Sequence, residues 1–298
     1  MGKSYSSAAY RELGGLLREA RKRAGLSSTE LSYRLDWLVS YLSRVESGNR
    51  PVSTPDVIHY LVQCGLKVKE MRPYVELSKM AERRQGYYLS DAKINGPLQS
   101  LIFHESLARS SIIYEQQVVN GLLQTPDYAR SIIGAGAGVT EEEVVGAVHT
   151  RLDRRRILTT PNAGRFAFYI HEQALRLRIG TDKIMHEQLL HLVLVAAADN
   201  ITVQIVPSDA GERSVLGGAF NVMTFENHNP MVYLDNYHGG GLILEDPDYV
   251  RNYRDLVPKL AEVALDKGQS REFMANLADE YDRGSHHVVG DVVAKEQL

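Results

Sequence analysis

Cysteine is almost missing from this chain: one residue, Cys64, in 298. A single thiol excludes an intrachain disulfide and any cysteine metal cluster. Its setting in the apolar stretch 61–66 favours a small buried side chain over a redox sensor. A reducing cytoplasm fits that usage. Long apolar runs are missing too. No stretch of about eighteen apolar residues occurs, which excludes a transmembrane helix, and MGKSYSSAAYRELGG has no apolar signal-peptide core. The chain also lacks a G-x-S-x-G nucleophile elbow and a lysine-bearing phosphate loop. Residues 134–138, GAGAG, follow a helical pattern rather than a strand and lack the distal acid of a dinucleotide fingerprint.

Charge of one sign is scarce overall but not locally. The formal net charge is −3, an unpromising figure for a nucleic-acid binder until the chain is divided. Residues 1–72 carry 12 Lys/Arg against 7 Asp/Glu, a net +5, so the remainder carries −8. The basic share points to phosphate contacts for Arg23, Arg34 and Arg50. The acidic remainder would be repelled by DNA.

The basic region holds the most informative stretch, residues 31–48, LSYRLDWLVSYLSRVESG. Leu31 and Leu35 share one helical face, and Leu38, Leu42 and Val45 repeat at similar spacing on a second helix. Ser40, Ser43, Arg44 and Ser47 point away from that stripe. Small polar groups allow close approach to a major groove, and an arginine can bond a guanine edge twice. Upstream, Leu13, Leu16, Leu17, Ala20 and Ala24 predict a helix closed by Gly25. Ser27 or Ser28 caps the next helix, with Glu30 in its first turn. Downstream, Gly48 closes the second helix. Ser53, Thr54 and Pro55 open another, with Val57, Ile58, Leu61 and Val62 as its buried face.

ELGGLLREARKRAGLSSTELSYRL and YLSRVESGNRPVSTPDVIHYL together resemble the Cro/repressor-type (XRE) helix-turn-helix family. The resemblance implies a recognition helix beginning near Leu38, with Val39, Ser40 and Arg44 at base-reading positions. Tyr41, Ser43 and Ser47 complete the candidate DNA-binding set on that helix. Ser28 falls where the family usually carries a glutamine on a phosphate. Arg21 and Glu46 match a buried structural ion pair. Two positions depart from the pattern: Leu38, where a polar cap is usual, and Asp36, where the turn usually has glycine.

Beyond the head the pattern changes. Residues 69–85 predict a charged linking helix, 91–96 a polar joint and 98–107 a further helix. Residues 112–119 read as a strand, and Thr125-Pro126 and Thr140 open helices. The basic run with Arg151, Arg154, Arg155 and Arg156 reads first as a solvated or ion-paired face. Strands are expected at 165–170, 201–206, 219–225 and 231–234, with Ile243 in another. Helices are expected at 183–198, 246–265 and 270–281, and a loop at 207–218. The fold class is therefore α+β: an all-α helix-turn-helix bundle followed by a mixed α/β effector or dimerisation domain. The expected boundaries are 1–72 for the head, 73–92 for the linker helix, 93–282 for the regulatory domain and 283–298 for a tail.

VVNGLLQTPDYARSII, RFAFYIHEQALRLRIG, ITVQIVPSDAGERSVLGGAFNVMTFE and LEDPDYVRNYRDL are similar to the C-terminal domain of a large actinobacterial regulator family. That family joins an XRE head to a long domain of unknown function and is similar to antitoxin-like regulators encoded beside a small partner protein. The resemblance implies a transcriptional regulator with self-association and a small protein partner; a small-molecule sensor is the alternative. An enzyme fused to a DNA-binding head is a weaker reading. His186 and His191 are five apart, which misses the spacing of a shared metal face, so no catalytic residue, metal site or cofactor is assigned. The segment 233–237 and the glycines 239–241 are candidate docking or pocket elements. The expected partners are double-stranded DNA and a second copy of the chain, with no membrane. The expected location is cytoplasmic and nucleoid-associated.

Overall fold

The computed structural model describes residues 7–83, 85–90, 97–136, 138–161, 163–235 and 241–295. Five helices open the chain: α1 (Ala8–Arg23), α2 (Ser28–Leu35), α3 (Val39–Glu46), α4 (Thr54–Gln63) and α5 (Val68–Arg83). Then come β1 (Tyr87–Ser90), α6 (Pro97–Leu107), β2 (Ser110–Glu115), α7 (Pro126–Gly134), α8 (Glu141–Arg154), β3 (Arg165–His171), α9 (Glu172–Arg176) and α10 (Asp182–Val195). The last part holds β4 (Ile201–Val206), β5 (Phe220–Thr224), β6 (Met231–Leu234), β7 (Gly241–Leu244), α11 (Pro247–Val263) and α12 (Lys267–Lys295). This is an α+β chain with both parallel and antiparallel strand pairing. The expected joint at 91–96, and residues 236–237 and 239–240 of the two candidate docking segments, lie outside the described residues.

The chain forms two compact units, Met1–Ala108 with Val222–Tyr253, and Arg109–Asn221 with Arg254–Leu298. This division differs from the expected break at 72. The expected linker helix is α5, a fifth helix of the head, packed on α1 and α4. Glu82 accepts from the Thr54 amide at 2.7 Å, and the Ser78 and Thr54 hydroxyls meet at 3.0 Å.

In the first unit the strands run β1-β7-β6-β5, with β1/β7 and β6/β7 antiparallel. Tyr88, Leu101, Met223, Met231, Tyr233 and Ile243 share one apolar core with Leu13, Leu17, Leu31, Leu42 and Leu61 of the head. The strand β1 has no counterpart in the sequence reading, because its partner β7 lies some hundred and fifty residues on (Ser90 opposite Gly241). In α4 the buried face is Val57, Tyr60 and Leu61; Ile58 and Val62 are exposed, contrary to expectation. The helix is turned so that positions 57, 60, 61 and 64 make the inward stripe.

A buried polar set joins α1 to β1 and α6. Arg11 and Glu12 are 1% and 2% exposed, deep burial for charged groups. Tyr88 and Ser100 donate to Glu12 Oε2 at 2.6 and 2.5 Å, and His104 Nε2 lies 3.1 Å from the Tyr88 oxygen. With the tyrosine proton given to Glu12, that histidine nitrogen must be the donor. His104 is then the neutral Nε2–H tautomer, with Nδ1 left unpartnered. Burial, then the charge of Arg11, pushes His104 well below its ordinary value, consistent with a neutral ring. Arg11 stacks 4.3 Å over the Phe225 ring and donates to the Asn229 carbonyl. Burial lowers its guanidinium to about 10, against the pull of Glu245 and Tyr88. Glu245 accepts the Ala8 amide at the start of α1.

The second unit carries a parallel ladder β2-β3-β4, with Ile113 opposite Phe168 and Phe168 opposite Val203. Parallel neighbours need crossover connections. The intervals are filled by α7 and α8, then by α9 and α10. Thr125, Thr140 and Thr181 cap α7, α8 and α10. The core is built from Ile113, Tyr128, Phe166, Phe168, Leu189, Val203 and Met274. The final helix starts earlier than Ser270: Asp266 and Gln269 cap it reciprocally, at 2.8 and 3.1 Å. Ser270 is instead buried, its hydroxyl accepting the Ile205 amide. The helix continues through the expected tail to Lys295.

Tyr88→Phe removes one donor from a buried carboxylate. It should lower stability by about 1.5–3 kcal/mol, read as a fall in thermal or urea midpoint. No change would mean that the Glu12 bond contributes nothing.

Candidate nucleic-acid interface

The reading face is built from α2, the turn after it, and α3. Ser27 caps α2 through the Glu30 amide at 3.1 Å while Glu30 accepts the Ser27 amide at 2.8 Å. Ser28 is therefore the first helical residue, half-buried and not engaged as the cap. The helix ends on Asp36 at φ 57°, and the Trp37 amide reaches back to the Ser32 carbonyl at 2.9 Å. This closure usually needs glycine; a short polar side chain tolerates the left-handed region well enough to keep the turn.

α3 buries Leu42, Val45 and Glu46 and exposes Val39, Ser40, Ser43 and Arg44. Leu38 does not continue the buried stripe. It sits before the helix in extended backbone, 75% exposed. Arg44 lies on the exposed face, its Nε donating to the Ser40 carbonyl at 3.2 Å. Tyr41 is half-buried, edge-on to Trp37 at 4.8 Å, with the Arg50 guanidinium 5.9 Å over its ring. Ser47 is half-buried, bonded to the Arg44 carbonyl and to Asn49, so its hydroxyl serves the turn.

The remaining basic residues divide. Arg34 reaches the Gln63 carbonyl at 3.3 Å. Arg23 donates to the Tyr74 hydroxyl at 3.1 Å and lines a notch of about 380 Å³ with Cys64, Glu70 and Tyr74. The Cys64 thiol is pushed up to about 11 by burial, which keeps it protonated.

Beneath the face lies the ion pair. Arg21 grips Glu46 with two bonds, Nε to Oε1 at 2.6 Å and Nη2 to Oε2 at 2.8 Å, both residues under 9% exposed. A third bond runs from Arg21 to the Leu26 carbonyl at 2.9 Å, bracing the turn before α2. The sequence reading missed two contributors. Tyr60 of α4 donates to Glu46 Oε1 at 2.7 Å, with the Leu17 carbonyl 3.0 Å away, and Arg18 lies 3.5 Å from Oε2. The available signal was a tyrosine on the inward stripe of α4, whose hydroxyl needs a partner when buried. Burial alone would raise the Glu46 carboxyl, but the hydrogen bonds from Arg21 and Tyr60 and the charges of Arg21 and Arg18 outweigh it and hold it low. α1 comes so close to α3 that a Cβ on Gly14 would stand 2.4 Å from the Val45 carbonyl oxygen.

This arrangement is a helix-turn-helix: the family described as "Helix-turn-helix domain" matches residues 12–73. The chain belongs to the family defined by a "Domain of unknown function (DUF5753)", which matches residues 98–276. A helix-turn-helix head joined to that domain makes the chain a DNA-binding regulator. Neither a curated protein nor a solved structure matches it. Among the described residues no group of His, Cys, Asp or Glu is placed to hold a metal ion, and no helix is long and apolar enough to cross a membrane.

Glu46→Ala leaves Arg21 buried without its partner and should cost about 3–5 kcal/mol. Because the folded-state carboxyl is lowered, the contribution of Glu46 is complete above its ordinary value of 4.5 and is lost as pH falls through the lowered one. The melting temperature of the wild type should therefore drop on acidification more than that of Glu46→Gln; parallel curves would contradict the assignment.

Proposed function

We propose that the chain is a sequence-specific transcriptional regulator of the Cro/repressor (XRE) type that reads double-stranded DNA as a homodimer. The observation that carries this reading is the exposed row Val39, Ser40, Ser43 and Arg44 on a helix whose other face is locked by the Arg21–Glu46–Tyr60 set. A rigid helix with small side chains and one arginine suits major-groove entry. Arg44 supplies the base contact, and Arg34, Arg50 and the Ser28 end of α2 lie in the same head for phosphates. Arg23, bonded to Tyr74, is the weakest of the phosphate candidates.

One such module covers roughly 600–1,000 Å² of DNA, too little for tight specific binding alone, and this favours two heads on two half-sites about 34 Å apart. In the same reading the domain at 98–276 mediates self-association and docks a small protein partner, as in antitoxin-like regulators, carries no enzymatic activity, and works in the cytoplasm on the nucleoid.

Selection from random duplexes at several salt concentrations tests the proposal. The wild type should enrich a palindromic site, and Arg44→Ala should lose about 1–3 kcal/mol on it with one base position relaxed. Equal loss on all sequences would make Arg44 a phosphate contact. A monomeric mass with and without the selected site would remove the homodimer.

A further inference from the structure

The start of α3 differs from seven other helix starts in its cap. Among the described α-helix caps, Ser7, Ser27, Ser53, Thr125, Thr140, His171 and Thr181 each accept a backbone amide of their own first turn. At α3 the cap is Leu38, with no side-chain hydrogen bond. A leucine there forfeits the stabilisation a polar cap supplies. It also leaves an apolar side chain 75% exposed beside Val39, itself 46% exposed. Val45 and Leu42 of the same helix are at most 1% exposed, so the other aliphatic residues of α3 are buried. The patch lies on a head of net charge +5, next to Ser40, Ser43 and Arg44. A polyanion with an apolar group recessed among its polar edges complements such a surface. In the major groove the thymine C5-methyl is the one apolar group on the base edges; adenine, guanine and cytosine show donors and acceptors.

We propose that Leu38 and Val39 form an apolar edge that selects thymine through its methyl group, at the half-site position facing the start of α3. This rests on α3 being the recognition helix, as proposed above. Leu38 and Val39 then set specificity at that position by excluding bases that would bury an unmet donor or acceptor against a hydrocarbon surface.

The test replaces each thymine of the selected site, one at a time, by deoxyuridine, which removes only the methyl. The full-length wild type should bind about four-fold more weakly for each contacted methyl, the equivalent of one buried methyl group. Leu38→Ser, which restores a hydroxyl cap and so retains the fold, should bind with a smaller difference between thymine and deoxyuridine sites at that position, with its helix content and melting temperature kept. Val39→Ala should show a reduced difference. A wild type indifferent to deoxyuridine at every position overturns the proposal, as does unchanged sensitivity in both variants. If Leu38→Ser turns a dimer into a monomer while deoxyuridine has no effect, the patch joins two copies of the chain and the proposal fails. Failure of the wild type to enrich any site removes the recognition-helix reading and this inference with it. An enriched site that tolerates deoxyuridine throughout removes the inference alone.

Discussion

The helix-turn-helix depends on one buried carboxylate. Glu46 is the last residue of α3, and side chains of two other helices converge on it: two bonds from Arg21 of α1, one from Tyr60 of α4, and a longer contact from Arg18. Burying a charge is costly unless hydrogen bonds and a countercharge replace water. Here they come from different helices, so the charge is satisfied only when α1, α3 and α4 are all in place. The third bond of Arg21, to Leu26, extends the same constraint to the turn before α2. The exposed row on α3 inherits its orientation from this buried centre.

α1 does a second job with its other end. Its first turns carry Ala8, Arg11 and Glu12 into the strands and α6 of the same unit, and its last turns carry Leu17, Ala20 and Arg21 into the helical bundle. Sixteen residues of helix span roughly 24 Å, enough for one element to reach both the strand side and the bundle side of the shared core. At the far end the polar groups are again satisfied collectively: Glu12 by Tyr88 and Ser100, Arg11 by Phe225 and Asn229. The close approach of Gly48 to the Arg11 backbone, at φ +71°, ties the end of the motif to this same region. The head is thus bound into a unit that also contains residues more than two hundred positions later in the chain.

The second unit is organised by the parallel ladder β2-β3-β4. Its middle strand carries Phe166, Phe168 and Ile170, all buried and contributing to the core, and three of its crossover helices, α7, α8 and α10, begin at threonine caps. Gln188, fully buried on α10, bonds the Thr125 amide and the Leu123 carbonyl, satisfying the backbone of the turn that feeds α7. Arginines 151 and 155 turn toward Gln124, and Arg155 also lies 3.3 Å from His191, so part of the basic run is taken up in fixing the same turn.

The helices were legible in the sequence because their signals are local. Ser27 with Glu30, Thr125 with Pro126, and Thr140 with Glu143 lie within one turn of each other, and apolar stripes repeat within seven residues. The resemblance to a known head supplied Arg21 and Glu46, which periodicity would not have paired. Strand existence was readable for the same local reason at β3 to β6. Strand pairing was not: Tyr87–Ser90 becomes a strand only because Gly241–Leu244 is brought beside it. Nor did the sequence separate the inward from the outward apolar residues at the ends of helices. Leu38, Ile58 and Val62 have the composition of a core and are exposed, because the helix axis and its start are set by what packs on the other side. Sequence alone determined which segments coil and which charges gather in the first 72 residues, since propensity, capping and charge need no distant partner. Tertiary structure alone decided that α1 joins the strands and the helical bundle in one core, that Glu12 and Glu46 are satisfied from elements far apart in the chain, and which apolar side chains face water, since each requires the closure of long loops.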